Sequence, residues 1–311
     1  MADIAIENIS EVIPTPILIE RTPSSKGSLK LDEKVSEMYL AKGYDTLPKT
    51  AEEAKARGAK GHNGLMSSIF NYNIIPQDNQ SLVMINIAPT RYNAGQALRD
   101  LWATGKYSLD EIKAMSPDML NVSLQAPVKE EGEYFLPAQI KGKALGSGQV
   151  HTGLVAGNVD AKYLLQPNPL TAALKEECSE ELGLDLSHLD STSFIYMVDE
   201  RETGQVNFAS IARKTDLNKV LHAYEALTKA KLQKSEALEV MALTTLPIAG
   251  IALIPLESGK QGLKGIKCYK PTSSGLSISV EDREVRPYTE ATIKYLQKPE
   301  NVKFLLEKAG F

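Results

Sequence analysis

Asn168-Pro169-Leu170-Thr171-Ala172-Ala173-Leu174-Lys175-Glu176-Glu177-Cys178-Ser179-Glu180-Glu181-Leu182-Gly183-Leu184 is the stretch from which the fold can be read. Its ends predict a helix over 169–182. Asn168 can cap the first free amides, Pro169 suits the first helical position, and Gly183 suits a left-handed stop. At about 100° per residue, one apolar stripe holds Leu170, Ala173, Leu174 and Cys178. Glu177 and Glu181 project into the middle of that stripe, and Glu180 lies at its edge. Carboxylates on an inward face are costly unless a basic partner or a bound cation compensates them. Oxygen ligands at i, i+3 and i+4 suit a hard divalent ion, Mg²⁺ or Mn²⁺. Cys178, on the apolar face, reads as a small core residue.

Strand and helix patterns surround this helix. A strand is expected over 150–156, turning at Gly157. Further strands are expected at 193–199 and 206–213, around the turn Glu202-Thr203-Gly204, and helices at 216–232 and 288–297. Upstream, 120–128 and 133–140 flank Lys129-Glu130-Glu131-Gly132 and read as a hairpin. A strand at 82–88 leads to a helix at 93–104, and Ser108 with Glu111 caps another. Residues 12–20 are β-like, with Pro14 and Pro16 confining them to an edge. Short helices follow at 32–42 and 50–58. The irregular alternation implies an α/β fold, a mixed sheet flanked by helices.

The segment Glu176-Glu177-Cys178-Ser179-Glu180-Glu181-Leu182-Gly183-Leu184 resembles the end of the Nudix hydrolase signature, Arg-Glu-(apolar)-x-Glu-Glu-x-Gly-(apolar). Ala173 matches the small residue before it, and Gly153-Leu154-Val155-Ala156-Gly157 resembles the strand-to-glycine entry of the preceding loop. The resemblance implies a Nudix-like α/β/α sandwich with a mixed sheet over residues 76–311, behind an N-terminal extension at 1–75. It implies that Glu177, Glu180 and Glu181 bind the Mg²⁺ or Mn²⁺ that holds a substrate diphosphate. It further suggests Glu236 or Glu239 as a general base. The implied activity is pyrophosphatase-type hydrolysis of a nucleoside diphosphate linked to another moiety. Three departures stand against it. Glu176 replaces the family's arginine, Asn168 replaces an upstream glutamate, and the loop after Gly157 is longer than the pattern. These departures keep open an alternative, a catalytically degenerate Nudix-like module that binds a nucleotide or a protein partner.

Arg91 and Tyr92, after Ala88-Pro89-Thr90, are expected in a loop. There they either pack on their neighbours or bind substrate phosphate and base; with Gly157 they are the substrate-binding candidates. Across 311 residues, 35 Lys+Arg against 39 Asp+Glu give a net charge of −4, which argues against a nucleic-acid partner held by a general basic field. Cys178 and Cys268 alone cannot build a disulfide framework or a four-cysteine zinc site. The longest apolar run, 246–256, is too short for a membrane span. Residues 1–7 have neither the basic nor the apolar region of a signal peptide. These features predict a soluble, cytoplasmic chain whose extension contributes to the substrate pocket or a homodimer contact.

Overall fold

The computed structural model describes residues 9–10, 17–21, 32–58, 63–77, 80–142, 149–151, 153–166, 169–185, 194–200, 203–213, 215–233, 248–257, 263–272, 274–283, 285 and 287–311. Asn168, Glu236 and Glu239 lie outside them. The described strands are β1 (Ile9–Ser10), β2 (Ile17–Arg21), β3 (Leu65–Gln77), β4 (Gln80–Arg91), β5 (Met119–Gln125), β6 (Val128–Glu130), β7 (Glu133–Lys141), β8 (Val150–His151), β9 (Val155–Asn158), β10 (Phe194–Glu200), β11 (Gln205–Ile211), β12 (Ile248–Pro255), β13 (Ile266–Thr272) and β14 (Gly275–Glu281). The helices are α1 (Glu33–Ala41), α2 (Ala51–Ala56), α3 (Tyr92–Ala103), α4 (Leu109–Ala114), α5 (Pro169–Leu182), α6 (Leu217–Gln233), α7 (Pro287–Leu296) and α8 (Pro299–Ala309).

Among the described residues the strands form two sheets. The first runs β1-β10-β11-β5-β3-β4-β2 with β9 also on β5, and the second runs β14-β13-β12-β7-β6 with β8 on β7. The first is mixed: β11 pairs with β5 in parallel, β10 and β9 antiparallel to their partners. A parallel, central strand is covered on both faces, and every residue of β5 is buried. This corrects the expected hairpin of 120–128 with 133–140. The chain leaves the first sheet after Gln125. Pro127 cannot donate to a ladder, and the short β6 beyond it makes the hairpin with β7.

Alternation along the strands divides the core. Leu120, Val122 and Leu124 of β5 and Phe208 of β11 join the apolar faces of α5 (Leu170, Leu174, Cys178) and α6 (Val220, Tyr224). On the opposite side, Ala209, Ile211 and Tyr196 pack with Leu136, Ala138 and Ile254 of the second sheet and with Leu296 and Leu305 of α7 and α8. Helices thus join both core clusters. A third cluster, from Val35 and Tyr39 to Leu98 and Ile112, joins α1, α3 and α4. No helix among the described residues is long and apolar enough to cross a membrane.

Candidate functional site

Helix α5 takes the bounds its sequence predicts. Gly183 stops it with φ +68°, and the Leu184 amide turns back to the Cys178 carbonyl at 3.2 Å. Its buried face lies over β9, the strand that edges β5. Gly157 is not a turn but a residue of that strand, in register with Val122. A Cβ at 157 would coincide with the Glu177 carboxyl group, so the glycine makes the space that this side chain fills.

The four helix carboxylates have separate fates. Glu177 meets no hydrogen-bond donor among the described residues. Burial, then the fields of Glu181 and Glu180, push its carboxyl up to about 8, against which Lys141 pulls less strongly. Glu180 is exposed, and no described donor reaches its carboxylate; only its backbone carbonyl is held, by Lys231 Nζ at 2.7 Å. Glu181 is saturated. Its Oε1 pairs with Lys141 Nζ at 3.2 Å, and its Oε2 accepts from the Gln139 side chain and from the Ala156 amide at 3.3 Å. Glu176 pairs with Lys162 at 2.7 Å and accepts from the Tyr163 hydroxyl. The Glu176 position therefore carries its own counter-ion. Cys178 is buried, with its thiol pushed up by desolvation and then by Glu181 and Glu177.

The structure thus brings Glu177, Glu180, Glu181 and Gly157 together and adds Gln139 and Lys141 from β7. His151 stands opposite Gln139 in the β7–β8 ladder. Arg91 and Tyr92 are not in a loop: Arg91 ends β4, where its guanidinium donates to the Asn63 carbonyl at 3.3 Å, and Tyr92 begins α3 with its ring exposed. Neither contacts the helix carboxylates.

Sequence reasoning missed a row of amides on the face of the first sheet opposite α5. Asn158 Oδ1 accepts from Gln205 at 3.2 Å and Asn121 at 3.5 Å, and Asn207 stands beside Asn121 across the parallel ladder. Asn121 and Asn207 are more than nine-tenths buried, yet no described donor reaches Oδ1 of either. The row begins at Met119, which packs under Gly95 of α3. Its signal in sequence was the alternation Asn121, Ser123, Gln125 against Leu120, Val122, Leu124.

Among the described residues no three His, Cys, Asp or Glu side chains converge as a ready-made metal cage. An Mg²⁺ ion asks for only one or two carboxylates and keeps several waters; Glu177, half-buried, and Glu180, exposed, are the helix carboxylates that no described donor reaches.

No protein-family model matches this chain, and no curated protein matches it. Among solved structures, it is weakly similar to a MutT/nudix family protein from Enterococcus faecalis. The TM-score is 0.29 at 10% identity, over 62% of this chain and 68% of that one.

Proposed function

We propose that the chain is a divalent-metal-dependent hydrolase of a nucleoside diphosphate linked to another moiety, on a Nudix-like α/β/α sandwich. The observation that carries this reading is Glu177, a half-buried carboxyl set against Gly157, with acid neighbours and no described donor in contact. A carboxyl held in its neutral form by its surroundings is a functional-site candidate. Glu177 and Glu180 would hold the ion. Bound there, it would neutralise diphosphate oxygens and activate a water for in-line attack on phosphorus. Glu177 releases its proton on taking up the cation. Gly157 leaves room for that carboxylate, and Gln139 with Lys141 fixes the neighbouring Glu181. Glu236 or Glu239 remains our nominee for the general base. Arg91 and Tyr92 remain our nominees for contacts with substrate phosphate and base.

The ion pair of Glu181 with Lys141 favours a second reading, a module that binds a nucleotide derivative without turning it over. A panel of nucleoside diphosphate derivatives with Mg²⁺ and Mn²⁺ separates the two. Metal-dependent release of a nucleoside monophosphate, lost in Glu177→Gln, is expected of the hydrolase. Affinity without turnover selects the module, and neither turnover nor affinity overturns both.

A further inference from the structure

We propose that the chain pairs with a second copy of itself along the outer edge of β14, in an antiparallel two-fold contact centred on Ile278. Among the described residues β14 ends the second sheet: β13 lies along one side of it, and no strand lies along the other. The N–H and C=O groups on that outer side are those a further strand would pair with. Natural edges are commonly blunted by a proline, a lysine or a bulge. β14 has none of these. It contains neither residue, and its register with β13 runs unbroken from Ile266 opposite Glu281 to Thr272 opposite Gly275. Its side chains are as open as its backbone. Alternate residues share a face, so Leu276, Ile278 and Val280 lie on one side of the strand. Leu276 packs against the core, whereas Ile278 and Val280 are 62% and 71% exposed, the highest values for large apolar side chains among the described residues.

The pattern of the strand selects the partner. Gly275-Leu276-Ser277-Ile278-Ser279-Val280-Glu281 reads nearly alike in both directions about Ile278. In an antiparallel pairing centred there, Leu276 meets Val280 of the partner subunit, Ser277 meets Ser279 of the partner subunit, and Ile278 meets its own copy. Apolar side chains then face apolar ones, and hydroxyls face hydroxyls, as stable cross-strand pairs require. Charge complementarity agrees. A two-fold contact sets groups near its axis against their own copies, so a self-pairing edge must be uncharged there. Residues 275–280 carry no charge. Glu281 would meet Gly275 of the partner subunit, and its charge is already held within its own chain by Lys270 and Arg283. A strand of unrelated sequence has no such match. One strand pair is smaller than a permanent dimer interface, so the association is reversible.

The test is sedimentation of the full chain. We expect two chains per particle at about 100 μM and one after about hundredfold dilution. Ile278→Lys and Ile278→Glu, at an exposed position, should each be monomeric and keep the circular dichroism of the parent. Mixing them should restore the dimer, because position 278 meets itself across the axis. Ile278→Cys should cross-link into a two-chain species on oxidation, since paired antiparallel residues lie within disulfide reach and Cys178 and Cys268 are buried. This variant decides the matter if the charged ones do not fold. A chain that is monomeric at every concentration overturns the proposal and leaves the edge to a strand of another protein. Dimers that persist in Ile278→Lys or Ile278→Glu, no dimer on mixing the two, or an Ile278→Cys that does not cross-link overturn it as well.

Discussion

At Glu177 the charge of a single carboxyl group sets the pH response of the site. Its value in the folded chain, about 8, lies well above the ordinary 4.5. The folded state therefore holds this proton more tightly than the unfolded chain does. The resulting stability is complete below the ordinary value and is lost as pH rises through 8. Glu177→Gln removes the titration while keeping the shape. In metal-free protein the variant should match the parent near pH 4 in thermal unfolding. Near pH 9 it should be more stable by about 2 kcal/mol, allowing for partial exposure. Saturating Mg²⁺ should reverse that order at high pH. Gly157→Ala tests the same contact from below. The new methyl group meets the movable end of Glu177, so stability should change by less than about 1 kcal/mol. The carboxyl is pushed toward water, and diphosphate turnover should fall by about tenfold or more. Unchanged turnover in Gly157→Ala would remove the case for this seat.

Strand β14 offers an independent element-scale test. Its last residue, Glu281, is drawn down to about 2 by hydrogen bonds from Lys270 and Ser279, with Arg283 adding its charge. Here the sign is opposite. The contribution is present above the ordinary value and disappears as pH falls from about 4.5 toward 2. Glu281→Gln should destabilise the protein by about 1 kcal/mol at pH 7, and by nothing measurable at pH 2, in urea unfolding. The β13–β14 hairpin gave little sequence signal. Helix α5 was legible because cap, stripe and stop are local. The strand Met119–Gln125 was visible as β but assigned the wrong partner, since parallel pairing with β11 is set by contacts far apart in sequence. The site divides the same way. Periodicity marked Glu177 and Glu181 as inward carboxylates. It could not show that β7 would deliver Gln139 and Lys141 to one of them, nor that Gly157 would sit in a strand beneath the other.

For the molecule as a whole, Glu181 is a joint as well as a charge. Its carboxylate belongs to a helix, accepts from the β9 backbone in one sheet, and is paired with β7 of the other. Removing one member of a buried pair leaves the other charge uncompensated, whereas replacing both with neutral groups of similar size does not. Lys141→Met and Glu181→Gln should therefore each cost about 3 kcal/mol, and the double variant clearly less than their sum. The exposed Glu176–Lys162 pair is the control, because solvent screens it; Lys162→Ala should cost less than about 1 kcal/mol. Denaturant unfolding of all four variants measures these differences together. If the two core substitutions prove additive, the pair is not a coupled joint, and the two sheets are held by their apolar faces alone. If they are coupled, the residue that neutralises Glu181 also locks α5 at the sheet edge. The fold then needs this ion pair for its own cohesion, which sets Glu181 apart from Glu177 and Glu180, whose carboxylates no described donor reaches.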